Sequence, residues 1–162
     1  MVTRILFDKN IQATGENMMS FDYEHELIHP VYTHFASSAE IIFYEVAIGF
    51  CRADMIVFQK NNTSIAIELK LSDWKKALIQ AQNYQLATDF VYLAFPLSKC
   101  ELVLKRAKKK LQQKGIGLLS INEETKNVNV LLTAKKSRVL FGRLSKKEII
   151  NRKKRVNQRK RL

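Results

Sequence analysis

Three residues of this chain combine types and positions that could do chemistry together: Asp54, Glu68 and Lys70. The run Ile65-Ala66-Ile67-Glu68-Leu69-Lys70 reads as a strand. Side chains alternate along a strand, so Ile65, Ile67 and Leu69 point one way while Ala66, Glu68 and Lys70 point the other. A carboxylate and an ammonium then share one face. Phosphodiester hydrolysis needs just such parts: oxygen ligands for a divalent metal, a water made nucleophilic, and a positive group near the developing charge. The second carboxylate depends on register. With a three-residue connection, Lys60-Asn61-Asn62, Asp54 stands across from Glu68, Ile56 from Ala66 and Phe58 from Ser64. Two carboxylates would then meet at roughly 5 Å between Cβ atoms, a repulsion that a bound cation reverses. A two-residue turn instead pairs Asp54 with Leu69 and turns it to the other face.

The surrounding pattern must supply the scaffold. Residues 1–20 hold one short apolar run, Ile5-Leu6-Phe7, and otherwise read as loop. From Phe21 an interrupted helix is expected, with Pro30 kinking or dividing it. Strand-like runs at 41–48, 52–59 and 64–69 are separated by Gly49 and by Asn61-Asn62, and predict an antiparallel meander. Ser72 is the expected N-cap of a helix reaching about Ala87, on the helical spacing of Trp74, Ala77, Leu78 and Ala81. Residues 90–95, ended by Pro96, read as a strand buried on both faces. A basic helix over 98–114 stops at Gly115, and strands at 116–121 and 128–132 form a terminal hairpin. The class is mixed α/β, with no internal repeat.

With these elements in place, Asp54 followed after thirteen residues by Glu68-Leu69-Lys70 resembles the signature of the PD-(D/E)XK nuclease superfamily, which includes restriction endonucleases, Holliday-junction resolvases and RecB-like exonucleases. Gln80 and Tyr84, four apart on one helix face, are similar to the QxxxY element of RecB-like members. The departure is Ala53 where many members have proline before the aspartate. The resemblance covers about residues 21–95. It implies a restriction-endonuclease-like core, a mixed central sheet with a three-stranded antiparallel meander flanked by helices. It further implies that Asp54 and Glu68 ligate Mg²⁺ or Mn²⁺, with the Leu69 carbonyl as a further ligand and Glu45 as a third acid. Lys70 would orient or help deprotonate water, while Gln80 and Tyr84 brace the site or touch the substrate. Glu24 or Glu26 would approach the metal, as an acid on the first helix does in resolvase-like members. Pairing of subunits into a homodimer is among the arrangements the resemblance allows.

A rival motif lies upstream. His25-Glu26-Leu27-Ile28-His29 spells HExxH, in which two histidines one helical turn apart hold zinc and a glutamate activates water, with His34 or Glu45 as nominees for a third ligand. Pro30 directly after the second histidine disfavours helix there. The plainer expectation is a pair of surface histidines.

Charge separates the chain into unequal parts. Of 28 Lys and Arg residues, fifteen lie in 1–134 against fourteen acids, and thirteen lie in 135–162 against Glu148 alone. A domain over 1–134 with a basic extension over 135–162 is therefore expected. Such a tail is drawn to polyanions by counterion release, DNA first. The expected phosphate contacts are Lys135, Lys136, Arg138, Arg143, Lys146 and Lys147, then Lys75 and Lys76, then Lys105 to Lys110. Cys51 and Cys100 read as small buried hydrophobes, too few for a disulfide framework. No run approaches a membrane span and no apolar leader opens the chain, so a cytoplasmic location without a membrane partner is expected. The expectation for the whole is a Mg²⁺-dependent deoxyribonuclease acting in repair, recombination or restriction. The alternative is a nucleic-acid-binding module on the same fold that does not cut, and the HExxH zinc protease is a remote third.

Overall fold

The structure, a computed structural model, describes residues 19–139 and 142–159, with side chains as far as Arg155 in the last helix. The loop and apolar run expected over residues 1–18 lie outside the described residues.

Six strands form one mixed sheet in simple chain order: β1 (Ala39–Ile48), β2 (Cys51–Gln59), β3 (Ser64–Leu69), β4 (Phe90–Pro96), β5 (Gly117–Ile121) and β6 (Val128–Leu132). The first three make an antiparallel meander, β3, β4 and β5 are parallel, and β6 returns antiparallel. The two parallel connections each need a crossover, supplied by α2 (Trp74–Tyr84) and α3 (Leu97–Lys114). Both helices lie on one face. Ala77, Leu78, Ala81 and Tyr84 of α2 and Cys100, Val103, Ala107 and Leu111 of α3 join Ile56, Phe58, Ala66, Leu93 and Leu118 in one core. The opposite face carries Met55, Val57, Ile65, Ile67 and Leu69, covered by Leu27, Val31 and Phe35. Those three belong to a 3₁₀ turn (Glu24–Leu27) and to α1 (Ile28–Ala36). The result is a sheet with helices on both faces, as the pattern of strands and helices required.

Local chemistry explains the boundaries. The helical segment divides at Leu27/Ile28, and Pro30 is the third residue of α1, where its missing N–H has no intrahelical role. His29 is therefore helical, contrary to the bias expected of a residue before proline. The N-cap of α2 is Asp73 and not Ser72: its carboxylate accepts from the Lys76 N–H at 3.0 Å, and a carboxylate suits the positive helix end better than a hydroxyl. That helix ends at Tyr84, short of Ala87. Gly115, at φ +71°, closes α3 as expected. Cys100 is buried, whereas Cys51 is only half-buried.

The change of charge at residue 135 is not a change of packing. Lys135 N–H donates to Gly115 O at 2.9 Å, Ser137 N–H to Asp89 O at 2.7 Å and Leu144 N–H to Ala87 O at 2.9 Å. A helix absent from the sequence expectation, α4 (Lys146–Arg159), follows. Leu144 and Ile149 enter the α2/α3 core at 7% and 2% exposure. Side chains of α4 also reach the open edge of β1: Lys153 Nζ donates to Tyr44 O at 3.2 Å and Arg152 Nη1 to Ala47 O at 3.1 Å. A sheet edge is a template for unwanted pairing, and these cations occupy it.

If the basic segment is part of the folded unit, Ile149→Ala should lower stability by about 2–4 kcal/mol, while Ile150→Ala, on the more exposed side, should cost under about 1 kcal/mol. Urea unfolding of both variants checks this; equal, small effects would mean a tail that hangs free.

Candidate active site

The site forms at the carboxyl end of β3, where the meander comes apart. The β2–β3 register is the one a three-residue connection demands: Ile56 pairs with Ala66 and Phe58 with Ser64. Gln59 N–H donates to Thr63 O at 2.9 Å, with Asn62 left-handed at φ 65° to close the turn. Pairing continues to Met55 opposite Ile67. Continued further, the same register would set Asp54 against Glu68, and the next rung would have Leu69 N–H donating to Ala53 O. The Asp54 carboxylate takes that proton instead, Leu69 N to Oδ2 at 2.7 Å. Side-chain alternation slips at the same point. Phe43 and Val46 on β1, and Ala53 and Ile56 on β2, face one core although three positions apart. The slip falls on Glu45, a non-glycine held at φ 53°, and on Asp54 across from it.

Glu68 is the buried centre, at 1% exposure. Its Oε1 accepts from Lys70 Nζ at 2.7 Å. Its Oε2 lies 2.6 Å from the Tyr84 hydroxyl, which is also 2.7 Å from Arg52 O, so one phenolic proton serves two acceptors. Lys70 Nζ reaches the Leu69 carbonyl at 3.1 Å and Glu24 Oε2 at 3.4 Å. Of the two acids on the first helical segment, the structure therefore brings Glu24 to the site. Glu26 turns away, its carboxylate accepting from Asp22 N–H at 2.7 Å and Tyr23 N–H at 2.8 Å.

Electrostatics follow from this arrangement. Burial, and then the neighbouring Glu68 carboxylate, push Asp54 up to about 6, against the pull of the Leu69 N–H and of Lys70. Burial alone would lower Lys70, but its hydrogen bond to Glu68 and the charges of Glu68, Glu24 and Asp54 outweigh it, and the ammonium is held above its ordinary value. Burial and the bond to Glu68 drive Tyr84 well above the phenol range, so it acts as a fixed donor.

The remaining expected residues divide. Gln80 lies one turn before Tyr84, with its Oε1 shielded from solvent and without a hydrogen-bond partner. Glu45 is exposed, its carboxylate 3.9 Å from Arg52, yet near enough to add to the rise at Asp54. Lys75 and Lys76 are exposed on the first turn of α2, and Lys105 and Lys108 to Lys110 on α3. In the basic segment Lys135, Lys136, Arg138 and Lys147 are exposed, while Lys146 pairs with Glu40 at 2.7 Å. Arg143 pairs with Asp89 Oδ1 at 2.8 Å, a buried acid whose other oxygen accepts from the Ser64 N–H and hydroxyl. This Asp89 lock was not anticipated, and a lone aspartate after a helix carries no signal of it. In the HExxH segment the first histidine sits on the 3₁₀ turn, stacked on Tyr23, and Glu26 is engaged as a backbone cap. His34 packs edge-on against Phe35.

Asp54, Glu68 and the Leu69 carbonyl are all oxygen donors, the set suited to Mg²⁺ or Mn²⁺. The Lys70 ammonium at present holds Glu68 Oε1 and Leu69 O. Among the described residues no group of three or more His, Cys, Asp or Glu side chains is gathered to hold a metal ion. None of the described helices is long and apolar enough to cross a membrane.

The Asp54 carboxyl gives a pH test. Its folded value, about 6, exceeds its ordinary 3.8. The folded chain thus binds this proton more tightly, and the contribution is full below pH 3.8 and lost as pH rises through 6. Asp54→Asn, whose amide oxygen can still accept the Leu69 N–H, should therefore be more stable than wild type at pH 8 by on the order of 1–2 kcal/mol, discounted for partial exposure. The advantage should vanish by pH 4 in paired melting curves.

No known protein family matches the sequence, and no curated protein matches it. Among solved structures the fold is similar to that of a protein of unknown function from Silicibacter pomeroyi, at 16% identity and a TM-score of 0.60, over 86% of this chain and 90% of that one.

Proposed function

We propose that this chain is a metal-dependent deoxyribonuclease built on a restriction-endonuclease-like core, cutting DNA phosphodiester bonds with Mg²⁺ or Mn²⁺ at Asp54, Glu68 and the Leu69 carbonyl. One observation carries the reading: the Asp54 carboxylate is held on the Leu69 N–H, beside Glu68 at the carboxyl end of a buried strand, with Lys70 on Glu68 and Tyr84 behind it. Burial first, and the Glu68 carboxylate second, push Asp54 up to about 6, a cost of ionising it that a bound cation would offset. A divalent cation bound there would supply Lewis-acid activation of water and phosphate.

The chain's own groups have distinct tasks on this reading. Tyr84 fixes the orientation of the Glu68 carboxylate, and the Leu69 N–H fixes that of Asp54. Lys70, charged and shielded, stabilises negative charge on the transferred phosphate and orients the water. The exposed lysines of α2 and the basic segment hold the DNA backbone, which makes binding salt-dependent.

A second reading, a nucleic-acid-binding module that does not cut, is favoured by the hold of Lys70 on two of the three donor oxygens and by the fact that Glu24 engages Lys70, with no three acids among the described residues grouped to hold a metal ion. Two experiments divide the readings. Duplex, single-stranded and branched DNA should be cleaved in Mg²⁺ or Mn²⁺, with Asp54→Ala and Lys70→Ala each slower by about a hundredfold or more. Mn²⁺ should raise the melting temperature of wild type, by an amount worth about 2.7 kcal/mol at a hundredfold excess over its dissociation constant, but not that of Asp54→Asn or Glu68→Gln. Salt-sensitive DNA binding with neither effect would assign the non-cutting module.

A further inference from the structure

We infer that the β1–β2 hairpin is a base-stacking platform for an unpaired nucleotide, so that the DNA taken by this site carries single-stranded character; this rests on the nuclease reading above. Phe50 stands at the hairpin tip, fully exposed. An aromatic ring left wholly in water forgoes the gain of burying its apolar faces, and a nucleobase is a partner that restores it.

The tip is braced rather than loose. Asn83 Nδ2 on α2 donates to Ile48 O at 2.6 Å. Gly49 turns at φ +57°, and the Asn83 amide packs so close that a Cβ at Gly49 would meet its oxygen at 3.2 Å. A platform already fixed loses little entropy when a base stacks on it.

Beside Phe50 opens a groove of about 520 Å³, lined by Ile48 and Ala87 and by Arg143, Glu148 and Arg152 from the basic segment. That volume lies within the roughly 300–1,000 Å³ of small-ligand sites. Arg152 is held to Ala47 O and to Glu148, which offsets part of its charge within the groove. Lys147, Lys154 and Arg155 of the same helix α4 are exposed. Arg143 is likewise paired with Asp89, so the fit to a nucleotide rests first on the flat face of Phe50 and second on the guanidinium N–H groups left beside it for a phosphate. A protein partner would require a broader apolar centre than this tip presents. The hairpin also lies at the sheet end that carries Asp54, since β2 begins at Cys51 directly after Phe50.

Fluorescence anisotropy in EDTA, where no cutting can occur, tests this with labelled oligothymidylate and a blunt duplex. Phe50→Ala should weaken oligothymidylate binding about tenfold and duplex binding less than about twofold. Phe50→Trp should restore the affinity, and its emission should be quenched by the oligonucleotide. Equal affinity of Phe50→Ala and wild type for oligothymidylate, an equal loss on both probes, or no DNA binding by wild type would overturn the inference. Metal-dependent cleavage by wild type is scored separately. Phe50-dependent binding without cleavage under any metal removes the nuclease reading alone, and cleavage without Phe50 dependence removes the platform alone.

Discussion

The arrangement turns on one buried carboxylate. Glu68 is almost wholly removed from water, and an ionised side chain so placed costs several kcal/mol unless its lone pairs are satisfied. Lys70 and Tyr84 satisfy them, but each brings a requirement of its own. Burying Lys70 obliges the chain to provide further acceptors, met by the Leu69 carbonyl and by Glu24 on the 3₁₀ turn. Tyr84 obliges α2 to lie across β3 so that the hydroxyl meets the carboxylate and Arg52 O together. Both faces of the sheet are thereby tied to one charged group.

Much of this was legible in the letters, for identifiable reasons. Strands such as 64–69 and 90–95 are so densely branched and apolar that no other element competes, and the Asn61-Asn62 turn admitted only two registers. The shared face of Glu68 and Lys70 follows from strand alternation, whereas Tyr84 is singled out by the resemblance of Gln80 and Tyr84 to the QxxxY element. Asp54 was found by its register, yet its geometry was not: its carboxylate takes a backbone N–H where the ladder would have put a carbonyl, and the slip at Glu45 has no pattern in the residues around it. Asp73 was missed as the cap of α2 because Ser72 and Asp73 are both good caps, and only backbone geometry separates them.

The basic segment conceals its packing for a different reason. Thirteen cations in twenty-eight positions mask the few apolar residues that matter, Leu144 and Ile149, and a pattern dominated by charge looks solvated. Those two side chains need the rest of the domain to complete their burial, so the helix α4 exists only in its tertiary setting. The same cations then find local uses. Arg143 neutralises a buried aspartate, and Arg152 and Lys153 occupy the carbonyls of an edge strand.

Charge is consequently divided in space. Around the candidate site Asp54, Glu68 and Glu24 face the single ammonium of Lys70, a local excess of negative charge on a chain of net charge +13. A polyanion is therefore drawn to the protein as a whole and repelled at its centre. On the nuclease reading this division has a consequence: the exposed cations supply affinity without a metal, while close approach of a phosphate to Glu68 requires added positive charge. Binding and cutting would then depend on ions in opposite senses, since monovalent salt weakens the first and a divalent cation enables the second.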